Sequence, residues 1–383
     1  MAVEKVRGCG LNHIGATDRI SVMDPQAIQA IKRRCTRYLA YHHPTRPKQT
    51  LTALAAATDD ALRGDHYGAG ELIGGFEQRI ADLLGKEAAV FMPSGTMAQQ
   101  IALRLWADRR GHPHIALHPA SHLELHEHRA YEILHGLQGI PVGSPYQLLT
   151  LSDMEKNPAP LGALLLELPQ REIGGQLPTW EELKAIVAWA QEESVYLHLD
   201  GARLWECRPF YGKEYAETAA FFDSVYVSFY KTLGAIAGAV LAGPADFIAA
   251  ARIWQRRHGG NLVQLYPYVL SAQQSLDLRL ERIPGYCEKA KEFAAALAPL
   301  PQIEIVPDPP QVNMMHLYLR GSAEALTNAA LQVSDESGVW LFEKLQPTAR
   351  PGWQKLELTT GDASMELSGA EVAGLFRKVF EKI

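Results

Sequence analysis

From about residue 76 onward the chain alternates short, almost unbroken apolar runs with amphipathic stretches of helical length. The runs are AAVF (88–91), HIAL (114–117), ALLLEL (163–168), VYLHLD (195–200), SVYVSF (224–229) and AGAVLA (237–242). A strand with one wet face alternates apolar and polar residues, whereas a strand covered on both faces has no reason to. The runs therefore predict mostly parallel strands joined by crossover helices, an α/β, doubly wound sheet. Past residue 260 the pattern changes. IEIV (303–306), NMMHLYL (313–319) and KLELT (355–359) are interleaved with helical stretches near 322–335 and 368–381, which predicts a smaller C-terminal α+β domain. The division expected is a segment at 1–50 packing on the small domain, a large domain at 51–260 and the small domain at 261–383.

Composition narrows the function. The chain has 383 residues, 47% of them hydrophobic, enough to bury a large core and a second smaller one. A net charge of −6 with both signs interspersed offers no basic stripe for a phosphate backbone, so nucleic acid is not an expected partner. No apolar run is long enough to cross a bilayer, and the start MAVEKVRGCG lacks a charged segment leading into an apolar one. A cytoplasmic protein without a membrane partner is expected. Cys9, Cys35, Cys207 and Cys287 are scattered and include no CxxC pair, so they read as reduced packing thiols.

Three segments carry candidate chemistry. In FMPSGTMAQQIALRLWADRR (91–110) a strand breaks at Pro93 and passes through Ser94, Gly95 and Thr96 into a helix. A helix N-terminus with a glycine for close approach suits a phosphate, although the same triplet also serves as a plain helix cap. In VYLHLDGARLWE (195–206) a strand ends on Asp200, at the edge where doubly wound sheets bind ligands. A carboxylate there can hold the protonated ring nitrogen of pyridoxal phosphate, or it can simply cap a turn. Arg203 has the planar fork for a substrate carboxylate and could equally be a surface ion-pair partner. In DSVYVSFYKTLGAIAGAVLAG (223–243) the apolar flanks of Lys231 predict a desolvated amine of lowered pKa, able to form an imine. Singly each segment is ambiguous. Together they fall in the order that a pyridoxal-phosphate site requires.

Seven of the fourteen histidines lie between 112 and 135, and His122 and His126 are four apart. That spacing could put two imidazoles on one metal, with Glu124 or Glu127 close by, but no HExxH pattern or cysteine accompanies it, so no metal is expected. The competing reading has His122 stacking on the cofactor ring and handling a proton.

With these motifs in hand, residues 64–245 resemble the threonine aldolase and β-eliminating lyase group of fold-type-I pyridoxal-phosphate enzymes, related in fold to the aspartate aminotransferases. GDHYG (64–68), FEQRIADLLGKEAAVFMPSGTMAQQ (76–100), SHLELHE (121–127), HLDGARLWE (198–206) and SFYKTLGAIAGAVLAG (228–243) carry the likeness. The resemblance implies Ser94, Gly95 and Thr96 at the phosphate, His122 on the ring, Asp200 at the pyridine nitrogen, Arg203 at the substrate carboxylate and Lys231 as the imine former. It also implies a homodimer or homotetramer with the site at the subunit boundary, where Tyr67 serves the neighbour's cofactor.

The chain departs from the family where substrate is handled. The usual Glu-Asn-Thr-His is here Glu167-Leu168-Pro169-Gln170, so Gln170 stands where a histidine would meet the substrate hydroxyl. Tyr230 replaces the serine before the lysine, and Lys355 stands about where a second carboxylate-binding arginine is expected. These departures mark a divergent branch. The expected reaction is aldol cleavage of a β-hydroxy-α-amino acid (threonine, allo-threonine or phenylserine) to glycine and an aldehyde. The alternatives are β-elimination from another amino acid, with Lys231 as the base at Cα, and a non-catalytic protein of the same fold. A nicotinamide-binding protein is set aside because no GxGxxG follows an early strand.

Overall fold

The computed structural model describes residues 24–156 and 160–383. Cys9 and the first part of the expected 1–50 segment lie outside the described residues.

Seven strands make the central sheet: β1 (Ala88–Met92), β2 (His114–Leu117), β3 (Gln138–Pro141), β4 (Ala163–Glu167), β5 (Tyr196–Gly201), β6 (Ser224–Ser228) and β7 (Ala239–Gly243). Their order is β1-β7-β6-β5-β4-β2-β3. β2 through β6 pair in parallel, and β7 runs antiparallel to both of its neighbours. The doubly wound, mostly parallel sheet expected from the apolar runs is present. β3 was not anticipated: its residues, QGIP, form no apolar run, and as an edge strand beside β2 it needs none.

Alternate residues of each strand feed two separate cores, which is why the runs are continuous. Leu164, Leu166, Leu197, Leu199, Val225 and Val227 pack toward α1 (Glu71–Leu84), α3 (Trp180–Glu192) and α5 (Tyr266–Arg279). Ala163, Leu165, Tyr226, Ala239 and Leu241 pack on the opposite face toward α2 (Gly95–Arg110) and α4 (Ala245–Arg257). Each fully buried Leu, Val or Phe contributes about 1.5–3 kcal/mol relative to exposure.

α2 is keyed into the sheet by one indole. Trp106 stacks between Tyr196 and Phe247, with ring centroids 4.3 Å away in each case, and its Nε1 donates to Ser224 Oγ at 2.7 Å. Ser224 in turn meets Nδ1 of the buried His198 at 2.7 Å, and His198 Nε2 meets Gln99 Oε1 of α2 at 2.8 Å. Burial pushes His198 down to about 3, so it is neutral, and one chain of donors satisfies all four groups.

A smaller antiparallel sheet follows, β8 (Ile303–Val306), β9 (Met314–Arg320), β10 (Gln346–Pro347) and β11 (Trp353–Thr359), in the order β10-β11-β9-β8. α7 (Ala323–Ser337) and α8 (Gly369–Glu381) cover it. α6 (Ile283–Leu297) joins the two cores: Ile283, Tyr286 and Cys287 belong to the large one, Phe293, Ala294 and Leu297 to the small one. The helix Pro25–Arg34 packs on α7 through Ile31 and Leu331, and Arg37–Tyr38 pairs in parallel with Val339–Trp340. Cys35, Cys207 and Cys287 are buried free thiols.

Candidate active site

Strand pairing builds the site. Glu167 of β4, Asp200 of β5 and Tyr226 of β6 lie directly opposite one another near the strand ends, on the face that meets α2. A row of polar groups on a wall otherwise apolar is costly unless each is paired or neutral. Burial, then the neighbouring Asp200 charge, push the Glu167 carboxyl well above the usual range, and burial raises Asp200 as well. Glu167 accepts from Arg171 N at 3.1 Å and from Gln170 Nε2 at 3.2 Å. Asp200 Oδ1 accepts from Ala202 N at 3.1 Å.

The start of α2 closes one end of the row. Ser94 caps the helix, its Oγ accepting from Met97 N at 3.3 Å. The first N–H groups of a helix have no intrahelical acceptor and carry its positive end. Gly95 is indispensable there: a Cβ on it would fall 1.9 Å from Tyr226 Oη and 2.8 Å from Tyr230 Oη. The two phenol oxygens lie 3.1 Å apart. Amide donors, a helix end and two hydroxyls thus converge where only a glycine fits.

Lys231 follows β6 in a turn held at both ends, by Phe229 N to Gly238 O at 3.1 Å and Ala235 N to Phe229 O at 2.8 Å. Its Nζ lies 5.2 Å from the Tyr230 ring centroid. Burial, then the charges of Arg203 and Arg171, pull its pKa below the ordinary lysine value, while Asp200 and Glu357 oppose them. The expected desolvated amine is present.

Thr96, His122, Asp200, Arg203 and Lys231 line one cavity, with Glu167 and Tyr226. His122 is oriented by Glu127, whose Oε1 lies 2.9 Å from Nδ1, which leaves Nε2 toward solvent or a ligand. Arg203 is paired with the fully buried Glu206, Nε to Oε1 at 3.9 Å; Glu206 also accepts from Thr232, the residue after the lysine. Burial pushes Glu206 up to about 7 against the pull of Arg203 and Thr232.

Gln170 and Lys355 stand apart from that cavity. Gln170 is buried in a neighbouring one, its amide nitrogen donating to Ala120 O and Glu167 Oε2 at 3.2 Å each. Lys355 Nζ lies 3.4 Å from Glu172 Oε2, and Glu172 also pairs with His126. Among the described residues no group of three or more His, Cys, Asp or Glu could hold a metal ion.

Tyr226, and around the cavity Glu206, Arg171 and Glu357, were not picked out from the sequence, and Glu127 was weighed only beside a metal. Glu127 could have been found from its five-residue spacing to His122, and Tyr226 from the strand register. Arg171 and Glu357 meet only through the tertiary fold.

The donor set fits pyridoxal phosphate. The glycine-dependent helix start would hold the phosphate, Asp200 the ring nitrogen, Lys231 the aldehyde carbon and His122 one ring face.

Residues 45–321 match the family model described as beta-eliminating lyase. The chain is similar to a solved candidate L-allo-threonine aldolase from Listeria monocytogenes EGD-E, with 43% identity and a TM-score of 0.89 over 94% of this chain and 99% of that one. A solved structure from Exiguobacterium sp. 255-15, described as an aromatic amino acid beta-eliminating lyase/threonine aldolase, is 42% identical with a TM-score of 0.88, over 93% of this chain and all of that one. The low specificity L-threonine aldolase of Saccharomyces cerevisiae is 32% identical over 55% of each chain. The chain thus spans little more than half the length of the curated relatives it matches.

Proposed function

Because the chain belongs to the beta-eliminating lyase family, we propose that it is a pyridoxal-phosphate lyase that cleaves a β-hydroxy-α-amino acid to glycine and an aldehyde. The observation that carries this reading is the shared cavity in which Lys231, Asp200, Arg203 and His122 meet beside the Gly95 helix start.

Bound pyridoxal phosphate supplies an aldehyde for the substrate's amino group and a ring that accepts the electron pair of the broken Cα–Cβ bond. The residues do the rest. Ser94, Gly95 and Thr96 would hold the phosphate with backbone donors. Asp200 would pair with the protonated ring nitrogen, a counter-charge for a buried carboxylate that is otherwise costly. Arg203 grips the substrate carboxylate. His122, with Nδ1 committed to Glu127, presents Nε2 to take the proton of the β-hydroxyl as the aldehyde leaves. Gln170 lies in the neighbouring cavity, and its amide cannot accept a proton at neutral pH. Lys231, with its depressed pKa, can return a proton to the substrate's Cα and would be the residue that holds the cofactor's aldehyde carbon.

Gln170 also supports a second reading. With no base at that position, β-elimination from another amino acid, using Lys231 at Cα, demands less of the site. Function as a homodimer or homotetramer is part of the same proposal: exposed Tyr67, Leu262 and Val263 adjoin, with Tyr67 N bonded to Val263 O at 2.9 Å. No helix among the described residues is long and apolar enough to cross a membrane.

The test is aldehyde and glycine release from L- and D-threonine, allo-threonine and phenylserine by wild type beside Lys231→Ala. Aldehyde formed by wild type and lost in the variant is the expected result. A cofactor-loaded wild type inert to the whole panel refutes the aldolase.

A further inference from the structure

The turn that carries Lys231 is held from outside by two side chains. Gly234 N bonds back to Lys231 O at 2.8 Å and closes the turn, which leaves the carbonyls of Thr232 and Leu233 to find donors elsewhere. His42 Nε2 lies 2.7 Å from Thr232 O, and Arg279 Nη1, at the end of α5, donates to Leu233 O at 2.7 Å. The Thr232 hydroxyl donates to the buried Glu206, so that residue is fixed through its side chain as well as its carbonyl.

Both outside donors lead to Asp362, just past β11 in the small domain. Its backbone N donates to His42 Nδ1 at 3.1 Å, and its Oδ2 accepts from Arg279 Nε at 2.8 Å. A backbone amide can only donate, so Nδ1 of His42 is the acceptor and Nε2 carries the proton toward Thr232 O. Burial, then the Arg279 charge, lower the His42 pKa and favour this neutral form. Oδ1 of Asp362 accepts from Arg282 Nη1 at 3.2 Å and from Tyr286 Oη, so the carboxylate is matched on both oxygens.

The surroundings are shaped for the ring. Tyr41, just before it, takes φ 65°, a conformation that costs energy in a bulky residue. Its N donates to Thr359 O at 2.7 Å and its O accepts from Ala363 N at 3.1 Å, which stitches the segment to the small domain on both sides. A Cβ on Gly361 would lie 2.9 Å from His42 Cε1, and one on Gly234, at φ 77°, would lie 3.3 Å from His42 Cδ2. The chain thus accepts a strained residue and two glycines around one imidazole.

We propose that His42 and Arg279 are positioning residues for Lys231: tied to Asp362, they hold the carbonyls of its turn and so aim the amine at the cofactor's aldehyde carbon. The inference rests on the reading of Lys231 as the residue that holds the cofactor and does not depend on which bond the enzyme cleaves. Neither residue lines the cavity with Lys231; both act through the turn. A misplacement of about an ångström at a reacting group can cost about a hundredfold in rate, so two hydrogen bonds to the turn are enough to matter.

The test compares two ligands on the full chain freed of cofactor. Pyridoxal phosphate needs the amine in place for covalent capture, followed by absorbance. Pyridoxine phosphate, the corresponding alcohol, needs only the phosphate and ring contacts, followed by calorimetry. His42→Phe keeps a ring but loses the donor and the acceptor. It should slow capture about tenfold, the worth of one hydrogen bond to a buried carbonyl, and leave pyridoxine phosphate affinity unchanged. Arg279→Met, at a partly exposed position, should do the same through the other carbonyl and stands in if thermal unfolding shows that His42→Phe does not fold. Capture at the wild-type rate in a folded variant overturns the proposal. So does a parallel loss of pyridoxine phosphate affinity, because the two side chains would then support the site as a whole and not the lysine. A wild type that binds pyridoxine phosphate but never captures pyridoxal phosphate overturns the reading of Lys231 and this inference together, whereas capture by wild type and variants alike overturns this inference alone.

Discussion

Gly95→Ala is the sharpest perturbation available at the cofactor end of the site. The added methyl carbon would fall 1.9 Å from Tyr226 Oη and 2.4 Å from its Cζ, and Tyr226 is buried between α2 and the sheet. The ring has no room to retreat, so the start of α2 must move by more than an ångström. Two consequences follow. Overpacking of this kind costs about 1–3 kcal/mol of stability, which lowers the melting temperature by several degrees. The helix start also withdraws from the phosphate. Loss of two charge-assisted N–H contacts, each worth about 1.5–3 kcal/mol, weakens cofactor affinity by at least about a hundredfold. The assay is titration of the apo protein with pyridoxal phosphate, followed by absorbance, with thermal unfolding of the same apo protein as control. Gly95→Ala combined with Tyr226→Phe removes the oxygen but leaves Cζ in the way, so it should recover affinity only in part. Wild-type cofactor affinity in Gly95→Ala would refute the assignment of this helix start as the phosphate site.

Other outcomes follow from the geometry. His198→Phe leaves Gln99 and Ser224 without their buried partner and should cost about 2–5 kcal/mol in urea unfolding, with cofactor affinity reduced through the displaced α2. Burial alone would raise the Glu357 carboxyl, but His316, Arg171 and Arg203 outweigh it and hold it at about 2, below its usual 4.5. A depressed carboxyl contributes stability above pH 4.5 that is lost as the pH falls toward 2, so Glu357→Gln should be less stable than wild type by about 3 kcal/mol at neutral pH, a gap that narrows on acidification. Equal unfolding curves at neutral pH would contradict the ion pairing. Arg203→Gln removes a charge that lowers the Lys231 pKa, so covalent capture of pyridoxal phosphate by the apo variant should slow at pH 8 relative to wild type. An unchanged rate would mean that the Arg203 charge does not bear on the amine.

Much of this was legible in the sequence, because the local rules point the same way as the fold. The six apolar runs became β1, β2, β4, β5, β6 and β7, since strands covered on both faces announce themselves by lack of alternation. Asp200 and Lys231 were readable because each ends such a run. β3 was missed because edge strands carry little apolar signal, and the antiparallel course of β7 was missed because a run of residues does not record its direction. The partners of Lys355 and Arg171 were the larger gap. Lys355 was expected near a carboxylate from its place in the chain and lies against Glu172, while Arg171 lies beside Glu357, 186 positions away in sequence. Nothing local to Arg171 separates it from a surface residue, and only the docking of the small sheet on the turn after β4 brings it to Glu357.

The row formed by Glu167, Asp200 and Tyr226 also governs how such a protein can diversify. Because the three residues are set by strand pairing, insertion or deletion of a single residue within β4, β5 or β6 would turn that strand's member of the row into the apolar face. The strands tolerate point changes but not changes of length. Gln170 and Arg171 lie just past the end of β4, outside this constraint, and can be exchanged without disturbing the row. Inheritance of the cofactor's half of the site is thereby uncoupled from inheritance of the turn after β4, and lineages sharing the first should differ most at these two positions.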